Sequence, residues 1–136
     1  MASILKVDEL QGIATAGDIT VTSEGGAATQ SLQQGLAKCW VNFNGAGTIA
    51  SRDSFNVASL TDNGTGNYDI NISNSMGNVN YSIQFCSSAA VNNDAFNRLA
   101  LSSNLTSKWR VLHYESGGAT LTDTDLLTSD VKGDLA

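Results

Sequence analysis

Between Leu36 and Ile72 the chain alternates apolar and polar residues in short runs cut by glycine-rich punctuation, LAKCWVNFNGAGTIASRDSFNVASLTDNGTGNYDINI. In the first run Ala37, Cys39, Val41 and Phe43 fall on one face of an extended chain, and Lys38, Trp40 and Asn42 on the other. Period two with β-branched and aromatic residues predicts strands, because successive side chains of an extended backbone point to opposite sides. A second run, Ser54 to Leu60, and a third, Asn67 to Ile72, flank Thr61-Asp62-Asn63-Gly64-Thr65-Gly66. Both residues of Asn63-Gly64 tolerate positive φ, so this pair predicts a tight turn. Tyr68, Ile70 and Ile72 oppose Asn67, Asp69 and Asn71, which predicts an antiparallel hairpin with one buried and one wet face.

The flanking sequence extends this pattern. Asp18 to Ser23 alternates strictly, ahead of a break at Glu24-Gly25-Gly26 and a polar stretch from Ala27 to Gln34 with modest helical character. Ile4, Leu5, Val7 and Leu10 are too few to build a core alone, so residues 1–34 read as an extended segment that either completes the sheet of its own domain or serves assembly by packing against other copies, the second being favoured. Val79, Tyr81, Ile83 and Phe85 alternate against Asn80, Ser82 and Gln84, which predicts a central core strand. Ala89 to Asp94 reads as a loop, and Phe96 to Ser102 fits a strand better than a helix. Lys108 to Glu115 carries Trp109, Val111 and His113 on one face and Arg110, Leu112 and Tyr114 on the other, so it is either central or covered by a neighbouring subunit. After Ser116-Gly117-Gly118 the segment 119–136 has Leu121, Leu126, Leu127, Val131 and Leu135 to bury, in cis or on another chain. The expected division is therefore 1–34, a head over 35–118, and a tail over 119–136.

Composition supports an all-β chain. Charged residues make up 15% of the 136 residues, against about 25% in typical soluble domains. Asn, Ser, Thr and Gly fill the difference; they are poor helix formers and satisfy turns locally. The expected fold is a small antiparallel β-sandwich or jelly-roll-like head. The net charge of −6, with seven scattered Lys and Arg, argues against nucleic-acid binding. Lys108-Trp109-Arg110, the one basic cluster, reads as a strand with two charges on one face. No basic segment followed by an apolar run opens the chain, and no stretch reaches the ~20 apolar residues of a membrane span. Folding in the cytoplasm is expected, with no membrane insertion, and Cys39 and Cys86 as free thiols.

Catalytic signals are absent from the sequence. His113 is the single histidine and reads as a strand residue packed beside aromatics. Asp123-Thr124-Asp125 opens like a calcium loop, but the glycine at the sixth position and the distal Glu are missing. No G-x-S-x-G, H-E-x-x-H or C-x-x-C occurs, and Asn44-Gly45-Ala46-Gly47 reads as a turn. The expectation is a non-enzyme without cofactor or metal. The residues to test for interface or ligand contact are Trp40, Asn63, Trp109 and Tyr114. Trp40 opposes the Cys39, Val41 and Phe43 face, so it is either core or covered by a partner or ligand.

The string QQGLAKCWVNFNGAGTIASRDSFNVASLTDNGTGNY resembles a module in virion structural proteins of marine tailed bacteriophages, and MASILKVDELQ resembles the start of those proteins. The likeness covers roughly the first 80 residues and is strongest between Gln34 and Asn80; Cys39 stands where alanine is expected in relatives. The resemblance implies a virion component: a tail-fibre or attachment protein, forming a homotrimer and contacting other tail or capsid proteins and a host-surface glycan or protein. Alternatives are a capsid decoration protein and a carbohydrate-binding module, for which Trp40 and Tyr114 would supply the aromatic platform.

Overall fold

The computed structural model describes residues 4–12, 19–88, 96–99 (by backbone), 103–115 and 120–136. They are mostly β, in three antiparallel sheets. Contacts divide the chain into two units, Met1–Leu36 and Ala37–Ala136.

In the first unit β1 (Thr20–Thr22) pairs antiparallel with β2 (Thr29–Ser31), and one helical turn, α1 (Leu32–Gly35), follows. The break at Glu24-Gly25-Gly26 is the hairpin turn: the Ser23 amide donates to Ala28 O at 2.8 Å, and Gly26 takes positive φ. A two-stranded sheet offers little burial. Ile4, Leu5, Val7, Leu10, Val21 and Leu36 accordingly stay exposed.

The second unit is a sandwich of two four-stranded sheets. The first runs β4 (Ala50–Phe55), β3 (Cys39–Asn44), β10 (Leu127–Lys132), β7 (Ser82–Ser87). The second runs β5 (Val57–Asp62), β6 (Asn67–Ile72), β9 (Lys108–Tyr114), β8 (Phe96–Leu99). Alternation decides the inward faces. Cys39, Val41 and Phe43 of β3 and Leu127 and Val131 of β10 meet Tyr68, Ile70 and Ile72 of β6 and Trp109 and Val111 of β9 in one core. Each fully buried side chain of this kind is worth about 1.5–3 kcal/mol. Phe43 and Tyr68 join the sheets edge to face, ring centroids 5.4 Å apart at 79°. Ser129 is also buried, its hydroxyl donating to Gln84 O at 3.2 Å.

Ser54 to Leu60 is two strands rather than one. The chain passes between sheets at Asn56, whose φ is 58°, a conformation Asn tolerates because its side chain can bond locally. Asn56 Nδ2 donates to Lys38 O (2.9 Å) and Asn74 O (3.1 Å), and Oδ1 accepts from the Asn74 amide (2.7 Å).

The Val79 to Phe85 alternation is also corrected: β7 is an edge strand, Val79 is 49% exposed, and Ile83 and Phe85 are only partly buried. The inner place belongs to β10, which lies between β3 and β7, so residues from 120 onward pack in cis as part of the sandwich. The Phe96 to Ser102 reading meets β8 over Phe96–Leu99; Ala100 to Ser102, the loop 89–94 and Ser116-Gly117-Gly118 lie outside the described residues.

Candidate functional site

The four contact candidates occupy four separate places. Trp109 is 0% exposed in the core, which corrects its reading as a contact residue: its strand face is the inward one, shared with Val111 and His113. Asn63 is exposed in the β5–β6 turn, its amide donating to Asn67 O at 2.8 Å. Tyr114 sits on the outer face of the second sheet, half-buried. Trp40 is on the outer face of the first sheet, 37% exposed. Trp40 and Tyr114 lie on different sheets and cannot form one aromatic platform.

Around Trp40 the register assembles two cross-strand rows on the outer face. One runs Phe55, Trp40, Asp130, Gln84; the next runs Asp53, Asn42, Thr128, Cys86. Neighbouring strands lie about 4.8 Å apart, so a row of four spans about 14 Å. Phe55 is 53% exposed beside Trp40, so two aromatic side chains stand together in one row while Asp53 and Asn42 stand beside them in the next. A trough of about 800 Å³ opens here, lined by Trp40, Asn42, Gln84, Cys86, Thr128 and Asp130 among others. Asp130 Oδ2 accepts from Lys132 Nζ at 2.6 Å. Asn42 Oδ1 is shielded from solvent and has no hydrogen-bond partner.

The outer face of the second sheet is organised differently. Asp69 is 2% exposed although it points away from the core, because Lys108 and Arg110 of the adjacent strand lie over it. The hydrogen bond from Arg110, reinforced by Lys108, holds its carboxyl down at about 2. Beside it Asn71 Nδ2 donates to Ser59 Oγ (3.1 Å) and Thr61 Oγ1 (3.0 Å). These groups satisfy one another, leaving Asn67 Oδ1 as a buried acceptor without a partner.

One end of the sandwich is closed by Asp123. It accepts from the Gly66 amide at 2.7 Å and lies 2.9 Å from Tyr68 Oη, whose proton burial first and this carboxylate second make harder to remove. His113 is 1% exposed, with Nδ1 2.7 Å from Thr122 O. Asp123 and Asp125 are thus used separately: Asp125 accepts from Ser88 Oγ at 2.8 Å. Among the described residues no three His, Cys, Asp or Glu side chains converge as metal ligands, and no helix is long and apolar enough to cross a membrane. Cys39 is buried and Cys86 exposed, both as free thiols.

Of the trough, sequence reasoning found Trp40 alone. Asn42 shares its face by alternation, but Asp130, Thr128 and Gln84 join it only because β10 is inserted between β3 and β7. The inward faces of β3, β6 and β9 were legible in their alternation; their neighbours were not. No protein-family model, curated protein or solved structure matches this chain.

Proposed function

We propose that this chain is a structural component of a tailed-phage virion, a tail-fibre or attachment protein that assembles through its first 36 residues and presents the sandwich outward. The family is suggested by the likeness of Gln34 to Asn80 and of the opening residues to such modules. The assembly role rests on one observation: among the described residues, six of the ten exposed large hydrophobic side chains, Ile4, Leu5, Val7, Leu10, Val21 and Leu36, fall within residues 4–36. Exposures of 77% and 76% at Ile4 and Leu5 leave apolar surface that a partner would bury at about 1.5–3 kcal/mol per side chain. An apolar hollow of about 370 Å³ in the same unit, lined by Leu10, Ile19, Leu32, Gln33 and Leu36, gives a second copy somewhere to place such side chains. Identical short segments from three chains wrapping together would satisfy both, and the resulting array would add weak host contacts into firm attachment.

The test is the mass of the full chain by light scattering coupled to gel filtration. A trimer that dissociates when Ile4 and Leu5 are replaced by Asp, with the sandwich still folded, supports the reading. A monomer, or a trimer indifferent to both substitutions, removes the N-terminal unit from assembly and favours the capsid-decoration alternative.

A further inference from the structure

We infer that Asn63 is a site of spontaneous covalent modification, where the Asn63-Gly64 step closes to a succinimide and opens to aspartate or isoaspartate. The chain's other Asn-Gly step, Asn44-Gly45, is held against the same reaction by the fold. This inference is independent of the virion reading and concerns how an exposed turn changes once the chain has folded.

Two Asn-Gly steps occur in the sequence. In the reaction the backbone nitrogen that follows the asparagine loses its proton and attacks the side-chain Cγ. The N–Cγ bond forms, the Cγ–Nδ2 bond breaks, and the side-chain nitrogen leaves as ammonia with that proton. Water then opens one of the two C–N bonds of the ring. The balance is one water taken up, one ammonia released and one carboxylate gained, with no oxidant or reductant. Glycine favours the attack because no Cβ crowds the nitrogen and the backbone turns freely. By residue type alone the two steps are equal.

Tertiary structure separates them. At the end of β3, Asn44 Nδ2 donates to Ala46 O at 3.1 Å and its Oδ1 accepts from the Ala46 amide at 3.0 Å, so the side chain is gripped at both atoms. The attacking nitrogen is occupied as well, since the Gly45 amide donates to Thr124 O at 2.8 Å. Gly45 is buried, and a Cβ on it would fall 2.5 Å from Tyr68 Cζ, so this backbone cannot swing without disturbing a core ring. All three hydrogen bonds must open before Asn44 can react, which takes local unfolding.

Asn63 meets none of these restraints. It is exposed in the β5–β6 turn, and among the described residues no hydrogen bond holds its side chain. Open space surrounds Gly64. The Gly64 amide donates to Asp62 Oδ1 at 2.8 Å, a solvent-facing partner that water can replace. The change stays local, because Gly66 is fixed by its 2.7 Å bond to Asp123 and Tyr68 is fully buried. The extra main-chain methylene of isoaspartate is therefore taken up between Asp62 and Thr65. Either product sets a second carboxylate beside Asp62 and makes the chain one unit more negative than its −6. The exposed turn thus gains charge with the age of the folded protein.

The experiment holds the full chain in mildly alkaline buffer at physiological temperature and follows both asparagines by peptide mass mapping, with isoaspartate methyltransferase labelling for the isomer. A parallel sample is kept unfolded in guanidinium chloride. In the folded chain Asn63 is expected to convert about ten-fold faster than Asn44 or more, since three hydrogen bonds guard only the latter. In denaturant the two rates should converge. Asn63→Gln should remove the early acidic species seen by ion exchange, and near-ultraviolet dichroism from buried Trp109 reports that the sandwich stays folded. Equal rates in the folded chain would overturn the inference, as would an Asn63 that stays intact there while it converts in denaturant. So would a rate difference that persists unchanged in denaturant, or an acidic species that survives Asn63→Gln.

Discussion

Arg110 grips Asp69 across a direct register pair of β9 and β6, with Nε 2.5 Å from Oδ1 and Nη2 3.0 Å from Oδ2. Lys108 Nζ adds a contact of 2.7 Å to Oδ2. The carboxyl is held at about 2 against its ordinary 3.8, the Arg110 hydrogen bond being the first cause. A depressed acid stabilises the fold above its unfolded value, and that stability is lost as pH falls through the folded value. The wild-type chain should therefore lose about 2 kcal/mol from this group between about pH 4 and pH 2. Asp69→Asn should begin about 2 kcal/mol lower at neutral pH and lack that component. Urea midpoints of both proteins from pH 2 to pH 7 decide it; parallel curves would remove the ion pair from the stability of the sheet.

Asn56 holds the corner between the sheets by backbone conformation and side-chain bonding together. Asn56→Gly keeps the positive φ but loses three hydrogen bonds, for an expected cost of about 1–3 kcal/mol. Asn56→Ala should cost about 1 kcal/mol more, because a Cβ without a bonding side chain is strained at φ 58°. Equal urea midpoints for the two variants would show that the backbone conformation contributes nothing here.

Gly66 and Gly64 both take positive φ in the β5–β6 turn, yet only one is enclosed. A Cβ on Gly66 would fall 2.5 Å from His113 O and 2.6 Å from Thr122 O, both backbone atoms, whereas one on Gly64 meets open space. Gly66→Ala is expected to unfold the sandwich or lower its stability by about 3 kcal/mol or more; Gly64→Ala should cost about 1–2 kcal/mol. Thermal melts of the two variants rank them, and a Gly66→Ala protein as stable as Gly64→Ala would contradict the packing.

The two tryptophans should separate cleanly in stability. Trp109→Ala opens a cavity in the core, at a cost of about 3–5 kcal/mol. Trp40→Ala, on the outer face, should stay within about 1 kcal/mol of the parent. Denaturant titration measures both; a large loss at Trp40 would mean that it supports the sheet.

The thiols offer a simpler check. Burial pushes the Cys39 thiol up to about 12, while Cys86 is exposed. One equivalent of Ellman's reagent should react with the native chain and two after denaturation. Peptide mapping of the alkylated protein should place the native label on Cys86. Rapid reaction of Cys39 in the native state would show that the β3 face opens readily.

Much of the strand pattern was legible beforehand because it is a local property. Alternation at Cys39 to Phe43, at Tyr68 to Ile72 and at Trp109 to His113 sorts core from surface with no knowledge of neighbours. It could not announce the corner at Asn56. The run Ser54 to Leu60 alternates through it, and the carbonyls that hold Asn56 belong to Lys38 and Asn74. Nor could it rank strands within a sheet: Val79 to Phe85 has the apolar face of an inner strand but lies at an edge.

The amino-acid order by itself determined the all-β class, the faces of individual strands and the Asn-Gly hairpin, all of which depend on backbone preference and side-chain period. Tertiary structure alone decided which strands are neighbours. The insertion of β10 beside β3 brings Asp130 next to Trp40 and Thr128 next to Asn42, and so makes a trough from residues far apart in the chain. The packing of β9 beside β6 turns three ordinary charged residues, Asp69, Lys108 and Arg110, into a shielded cluster. Period records the direction of a side chain, whereas pairing follows from the burial of all the apolar faces at once, and no local stretch contains that information.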